Sequence, residues 1–448
     1  LKLMNSIISS KSLNLSGEIK VPGDKSISHR ALIIGSTVNG KIKIRNLLES
    51  EDVLATANAL KKLDVKITKV SDDEWEIIGN GIGCLEGSNP LLDMGNSGTG
   101  ARLLMGLVAG SDVEATFTGD ASLSTRPMER ITTPLIKTGA KIICNSNNTL
   151  PINIRGSKVP LPILYHSPIA SAQVKSSILL AGLSSWGKTT VIEPSLSRDH
   201  TERLLKHLGA EVITTQLENS SWKIVLNGMP QLNPLNINIP SDPSSAAFPI
   251  VASIITPNSD VLVKNVCINE LRIGLYKTLI EMGADISFTN QREVDGEIIA
   301  DINAKSSKLF GITIPKSRAP SMIDEYPILA IAAIRANGDT IMEGIEELRY
   351  KETDRIKAMV DGLSSMDIKT KNTKDSLTIN GKGEMSPISG DIEIDSRLDH
   401  RIAMSFLCLG LITKKPVIVK DTDTINSSFP KFFDQMNKIG AKFKYLRS

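Results

Sequence analysis

The segment Gly23-Asp24-Lys25-Ser26-Ile27-Ser28-His29-Arg30 runs straight into the apolar Ala31-Leu32-Ile33-Ile34. Pro22 and Gly23 in front, with Asp24 and Ser26 at the start, mark a loop opening a helix. Lys25 then sits at the N-terminal end, and Ser26 and Arg30, four apart, share a helical face. Free backbone N–H groups with added cations make such an end an anion site. It is not a P-loop, because the spacing Gly-x4-Gly-Lys-Ser/Thr is absent. Taken alone, the segment reads equally well as a solvated helix start. A second glycine-dense turn, Asp93-Met94-Gly95-Asn96-Ser97-Gly98-Thr99-Gly100-Ala101-Arg102, precedes an apolar helix expected over 103–108. Its glycines let backbone N–H groups approach a ligand closely. It does not match Gly-x-Gly-x-x-Gly, and in isolation a plain tight turn accounts for it.

Basic residues then stand singly in short polar loops, not in one run. They are Arg126 before Pro127, Lys175 after Ser171-Ala172-Gln173, Arg198 before Asp199-His200, Lys351 and Arg355 in Tyr350-Lys351-Glu352-Thr353-Asp354-Arg355, and Arg401 in Leu398-Asp399-His400-Arg401. Lys351 and Arg355 are four apart, so one helical face is expected to carry both, with Glu352 beside them. Solvation is the default reading for each cation singly. Acids accompany them: Asp324-Glu325 lies between Ala319-Pro320-Ser321-Met322 and an apolar helix. An acid among several cations can be tuned for proton transfer, although cations alone would lower its pKa rather than raise it. Residue types and spacing lead to an enzyme of two lobes that handles small polyanions, and no further.

The elements that must position these residues recur. An amphipathic helix, a Gly-Ala or Asp-Val/Ile step and a strand occur six times, centred on Asp64, Gly139, Gly209, Gly283, Asp367 and Gly440, at spacings of 75, 70, 74, 84 and 73 residues. Glycine suits a helix C-terminus, where the left-handed conformation costs it nothing. Six mixed α/β units would form two lobes of three, with the Pro-containing joints Val21-Pro22-Gly23 and Ile239-Pro240-Ser241 as boundaries. Composition fits neither a disordered tail nor a membrane protein. Of 448 residues 41% are apolar and 23% charged, and 52 basic against 49 acidic residues leave a net charge of +3. That is too small for a general nucleic-acid or membrane footprint. The longest apolar runs, 328–334 and 406–412, fall far short of the roughly 20 residues of a spanning helix. Cys84, Cys144, Cys267 and Cys408 form no Cys-x-x-Cys or Cys/His cluster, so reduced thiols in a cytosolic chain are expected rather than zinc or disulfides. The opening Leu1-Lys2-Leu3-Met4 has neither part of a signal peptide.

Together the motifs resemble the EPSP synthases (3-phosphoshikimate 1-carboxyvinyltransferases) of the shikimate pathway. Seven occur in order: Pro-Gly-Asp-Lys-Ser-Ile-Ser-His-Arg at 22–30, Gly-Asn-Ser-Gly-Thr at 95–99, Arg-Pro-Met at 126–128, Ser-Ala-Gln-Val-Lys-Ser at 171–176, Asp-Glu-Tyr-Pro at 324–327, Lys-Glu-Thr-Asp-Arg at 351–355 and Asp-His-Arg-Ile-Ala-Met at 399–404. The resemblance spans 15 to about 442, and segments 198–202 and 319–326 look like the branch called class II. It implies an α/β fold of two lobes, the inverse α/β barrel of enolpyruvyl transferases, each lobe a prism of three βαβαββ repeats. One lobe would be discontinuous, 1–22 plus 241–448, and the other would be 23–240. The implied reaction joins shikimate 3-phosphate to phosphoenolpyruvate and releases phosphate, with no metal or organic cofactor. It serves chorismate and aromatic amino acid biosynthesis in the cytoplasm. A monomer acting on these two small molecules, without nucleic acid or membrane, is expected.

The resemblance also assigns roles. Lys25, Ser26 and Arg30 match residues that hold shikimate 3-phosphate, Lys25 also reaching phosphoenolpyruvate. Ser171, Ala172 and Gln173 match the phosphate-binding turn, and Arg198 adds a phosphate contact. Gly98, Arg126, Arg355 and Arg401 match the phosphoenolpyruvate site, and Lys351 lies beside the ring hydroxyls. Asp324 corresponds to the acid that takes the proton of the attacking hydroxyl, and Glu352 to the one that protonates the methylene. The herbicide glyphosate occupies the phosphoenolpyruvate site in this family, and Gly98 matches a wall position where some insensitive class II enzymes carry alanine. One departure is Asn426-Ser427-Ser428-Phe429-Pro430, where many members have a lysine before Thr-Phe-Pro. The related transferase acting on UDP-N-acetylglucosamine typically has Lys-Asn at the first motif and often a loop cysteine. Here Ser26 follows Lys25, and no cysteine lies near Arg126. A silent anion-binding scaffold would have no need of Asp324 and Glu352.

Overall fold

The computed structural model describes residues 5–384 and 386–446, so the leader reading of Leu1-Lys2-Leu3-Met4 lies outside the described residues. In chain order the helices are α1 (Lys25–Gly35), α2 (Glu51–Lys61), α3 (Gly98–Ala109), α4 (Glu129–Lys137), α5 (Ala172–Gly182) and α6 (His200–His207). They continue with α7 (Pro243–Ile255), α8 (Gly274–Glu281), α9 (Tyr326–Ile334), α10 (Arg355–Ser364), α11 (His400–Gly410) and α12 (Phe432–Lys438). By contact density the chain divides into two units. The first runs to Pro22 and resumes over Pro240–Glu293 and from Ile298 onward, and the second comprises Gly23–Ile239 with Val294–Glu297.

Each repeat builds one sheet. In the second unit, Ser88–Asp93 pairs parallel with Glu114–Thr118 across α3, and α4 leads to Lys141–Ile143. Ile152–Arg155 then inserts antiparallel between the last two. Leu164–His166, Lys188–Glu193, Val212–Gln216 and Trp222–Asn227 repeat this order around α5 and α6. The third sheet takes its leading strand, Ile237–Asn238, from the far end of the unit and sets it parallel to Asn39–Arg45. In the first unit one sheet runs Ser16–Ile19, α7, Asp260–Cys267, α8, Asp285–Val294, Glu297–Lys305, and the next is built around α9 and α10. The last, around α11 and α12, is completed by the N-terminal strand Ser6–Ser10 between Val417–Val419 and Lys442–Leu446. These are six open sheets of βαβαββ order. Among the described residues none closes into a barrel.

The six joints share one backbone device. Asp64, Gly139, Gly209, Gly283, Asp367 and Gly440 have φ of 63, 95, 102, 100, 57 and 110°, each ending the second helix of a repeat. In five of them the next N–H bonds back across the last helical turn: Val65 to Leu60, Ala210 to Leu205, Ala284 to Leu279, Ile368 to Leu363 and Ala441 to Met436. This is the Schellman closure, which satisfies carbonyls that the helix end would otherwise leave orphaned.

The first helix of each repeat lies inside. α1, α3 and α5 are buried along nearly their whole length, and so are α7, α9 and α11. All-round burial explains the unbroken apolar runs at 328–334 and 406–412, since a helix with no wet face needs no polar stripe. α3 approaches α5 so closely that a Cβ on Gly110 would stand 2.6 Å from the carbonyl oxygen of Ala181. Only glycine permits that approach. The cysteines are free thiols, Cys267 and Cys408 being buried. No helix of the described residues is long and apolar enough to cross a membrane.

Candidate active site

In the second unit the first turns of α1, α3 and α5 carry the polar residues. Each opens on a side-chain cap: Asp24 accepts from Ile27 N–H at 2.8 Å, Ser97 from Gly100 at 3.2 Å and Ser171 from Val174 at 3.5 Å. Capping satisfies one N–H and leaves the positive end of the helix dipole available to an anion. The α3 helix begins at Gly98 rather than 103, because the Ser97 cap stands inside the glycine-dense run.

Arg30 is buried, and its fork is anchored on three elements. Nη1 donates to Ser26 Oγ at 2.6 Å and Ser26 O at 2.9 Å, Nε to Thr201 Oγ1 at 2.7 Å and Nη2 to Ser176 Oγ at 2.9 Å. Gln173 ties α5 to α3: its Nε2 donates to Thr99 Oγ1 at 2.9 Å, and its Oε1 accepts from Arg102 Nη1 at 2.9 Å. Arg126 Nη2 donates to Asn96 Oδ1 at 2.7 Å and to Ser122 Oγ at 3.1 Å. Lys25 pairs with the carboxylate of Asp52 on α2. Lys25, Ser26, Gly98 and Gln173 thus stand on the first turns of α1, α3 and α5, Arg30 lies one turn further along α1, and Arg126 lies in the segment between the short turn Leu123–Thr125 and α4. Ser171 and Ala172 cap and open α5, and Arg198 lies in the loop before α6.

His29, in the same motif, is held by α2 instead. Its Nδ1 meets Thr56 Oγ1 at 2.9 Å, a buried contact between α1 and α2. Burial first, then the charges of Lys25 and Arg30, holds its pKa well below the ordinary value. It is a neutral structural imidazole at neutral pH.

In the first unit the centre is Arg355, at the start of α10 and buried. Its Nε donates to Asp399 Oδ2 at 2.8 Å, Nη2 to Glu352 Oε2 at 2.6 Å and Nη1 to Asp324 Oδ1 at 3.3 Å. Burial alone would lower its pKa, but Asp399, Glu352 and Asp324 outweigh that and hold it above the ordinary value. Lys351 Nζ lies 3.9 Å from Asp324 Oδ1 and 2.6 Å from Glu347 Oε1. Arg401 Nη1 donates to the Asp324 carbonyl at 3.2 Å and stands 3.8 Å from Glu325 Oε1.

Three readings need correction. Lys351 and Arg355 do not share a helical face: Asp354 caps α10 by accepting from Lys357 N–H at 2.9 Å, which leaves Lys351 outside in extended backbone. Lys175 is no loop cation, since it lies inside α5 with its side chain 1% exposed. Arg401 belongs to the first turn of α11, not to a loop. Sequence reasoning assigned no role to Asp52, Asn96, Arg102, Asp399 or the hydroxyls of Ser176 and Thr201. Arg102, one turn after Gly98, carried a local signal; Asp52 and Thr201 carried none. Ser427 closes a short turn, Thr422–Ser427, while Lys420 is paired with Glu393. Among the described residues no cluster of three or more His, Cys, Asp or Glu could hold a metal ion.

Six βαβαββ repeats with arginine-rich, acid-bearing helix starts define the enolpyruvyl transferase fold class. The structure matches the enolpyruvyl transferase NikO of Streptomyces tendae with a TM-score of 0.79 at 15% identity over 99% of both chains, a likeness of fold alone. A family model described as EPSP synthase (3-phosphoshikimate 1-carboxyvinyltransferase) matches residues 10–436. The 3-phosphoshikimate 1-carboxyvinyltransferase of Bartonella quintana is 51% identical over 433 residues, 96% of this chain and 97% of that protein. The solved EPSP synthase of Acinetobacter baumannii matches with a TM-score of 0.89 and 43% identity, covering 99% of this chain and 100% of the other. The chain belongs to the EPSP synthase family.

Proposed function

We propose that this enzyme transfers the enolpyruvyl group of phosphoenolpyruvate to the 5-hydroxyl of shikimate 3-phosphate and releases inorganic phosphate. The two substrates carry two carboxylates and two phosphates, roughly five to six negative charges at ~1.5–2 per phosphate. Lys25, Ser26, Arg30, Ser171, Ala172, Gln173 and Arg198 hold shikimate 3-phosphate. Gly98, Arg126, Arg355 and Arg401 take phosphoenolpyruvate, and Lys351 attends the ring hydroxyls. Arginine forks suit planar carboxylates and phosphates better than point-charge lysines.

The observation that carries the reading is that one buried guanidinium, Arg355, binds both acids, Asp324 at 3.3 Å and Glu352 at 2.6 Å. Addition across an enol double bond needs both a base and an acid. Asp324 accepts the proton of the 5-hydroxyl while the hydroxyl oxygen attacks C2 of phosphoenolpyruvate, and Glu352 delivers a proton to C3. The product is a tetrahedral intermediate with a methyl group. In the second half the proton transfers reverse: Glu352 takes back a proton from the methyl group, Asp324 returns its proton to the departing phosphate, the C2–O bond to phosphate breaks and the enol ether forms. Fixed cations stabilise the charge that develops on the leaving phosphate. The enzyme acts in the cytoplasm as a monomer on these two small molecules.

The test is phosphate release with each substrate alone and with both. Release only when both are present supports the assignment, whereas release from phosphoenolpyruvate alone would refute it.

A further inference from the structure

Beneath the first turn of α5 lies a charged cluster that the reaction does not use directly. Lys175 Nζ stands 2.7 Å from Glu202 Oε1, donates to Glu193 Oε1 at 3.0 Å and to the Ser197 carbonyl at 3.1 Å. The side chains of Lys175, Glu193 and Glu202 are 1%, 1% and 3% exposed. Burying three ionisable groups is costly unless each finds partners. Burial by itself would lower the Lys175 pKa, yet Glu202 and Glu193 outweigh it and keep the ammonium charged, while burial raises Glu202.

The geometry has a direction. Glu193 ends the strand Lys188–Glu193, and Glu202 lies in the first turn of α6. The loop between them is gripped at Ser197 on three atoms. Its N–H donates to Glu193 Oε1 at 2.8 Å, its hydroxyl to Glu193 Oε2 at 2.7 Å, and its carbonyl accepts from Lys175. Arg198 is the next residue. The neighbour of Lys175 on α5, Ser176, meanwhile holds Thr201 and Arg30. One helix turn thus sets the loop of Arg198, the fork of Arg30 and the phosphate-binding turn 171–173.

We infer that Glu193, with Lys175, is a positioning residue that clamps Ser197 so that Arg198 meets the phosphate of the acceptor substrate. This rests on the assignment of Arg198 proposed above. Neither group touches substrate; Lys175 acts through the carbonyl of Ser197, and Glu193 through its N–H and hydroxyl.

The test is a double-mutant cycle on the full chain, with calorimetric binding of shikimate 3-phosphate and steady-state kinetics as readouts. Glu193→Gln keeps the volume and leaves Lys175 balanced by Glu202, so the fold is expected to persist, as circular dichroism and thermal unfolding would verify. Glu193→Gln and Arg198→Ala should each weaken shikimate 3-phosphate by about tenfold, raising its KM with kcat within about threefold. The double variant should bind no more weakly than Arg198→Ala alone. Multiplying losses would overturn the inference, because a general structural defect adds to the loss of Arg198. So would unchanged binding by Glu193→Gln. Unchanged binding by Arg198→Ala would instead overturn the phosphate assignment on which the inference rests. Should Glu193→Gln not fold, Ser197→Ala, which removes only the hydroxyl bond, takes its place in the same cycle with a smaller shift of the same sign.

Discussion

Adding one methyl group at Gly98 should separate glyphosate from phosphoenolpyruvate. Gly98 opens α3, and a Cβ there would stand 3.1 Å from Arg102 Nη1, 3.2 Å from Arg126 Nη1 and 3.6 Å from Leu123 Cδ1. Such contacts are tight but not prohibitive, because both close neighbours are the far ends of long side chains that can retreat by a few tenths of an ångström. Arg126 is not free to move at will: its other terminal nitrogen is bonded to Asn96 at 2.7 Å and to Ser122 at 3.1 Å. The methyl therefore takes space beside two guanidinium groups. Overpacking of this kind typically costs ~1–3 kcal/mol, which is roughly ten- to a hundredfold in affinity. On the proposed assignment of Gly98 to the phosphoenolpyruvate site, glyphosate, the longer molecule, should bear nearly the whole penalty. Phosphoenolpyruvate should lose only a few-fold, through the displaced Arg126. The assay is inhibition by glyphosate in competition with phosphoenolpyruvate, for wild type and Gly98→Ala. Wild type, with the space open, should be inhibited. Equal inhibition constants in the two proteins, or a phosphoenolpyruvate KM raised as much as the inhibition constant, would refute the steric argument.

Asp324→Asn should leave shikimate 3-phosphate binding within about tenfold but lower turnover by ~10² or more, the usual size of a general base contribution; full activity would remove Asp324 from the mechanism. Asp399→Ala should destabilise the fold by ~3–5 kcal/mol in urea unfolding, since Arg355 would stay buried with one carboxylate fewer. The same change removes the α11 cap, in which Asp399 Oδ1 accepts from Arg401 and Ile402 N–H at 2.8 and 3.3 Å. The third expectation concerns pH. The His29 pKa lies well below 6.5 in the folded chain, so as pH falls through 6.5 the unfolded chain takes up the proton first and stability is lost. The unfolding free energy should drop by up to ~1.4 kcal/mol per pH unit on that account. His29→Gln should flatten the curve, and parallel curves for the two proteins would contradict the assignment.

Six repeats were legible in the chain because each is punctuated locally. A helix that ends on φ > 0 selects Gly or Asp within a few residues, and the choice is visible without knowing what packs above it. The chemical types at the site were legible for a similar reason: helix starts, glycine-dense turns and neighbouring acids are short-range patterns. Ser26 and Arg30 come together through the helix period alone, and their bond spans four residues. Lys351 and Arg355 have the same spacing, yet a local competitor, the Asp354 cap, starts the helix between them.

Only the tertiary structure decided how each charge is held. Lys175 is as hydrophilic by type as any solvated lysine, but the packing of α5 against the strand and helix that carry Glu193 and Glu202 buries it. Lys25 finds Asp52 across two helices, and Arg355 collects Asp324, Glu352 and Asp399 from three separate segments. Backbone turns are governed by a few adjacent dihedral angles, so sequence alone determined where the repeats end. Ion pairs depend on distance and burial, and residues tens of positions apart acquire both only when the sheets and inner helices close around them.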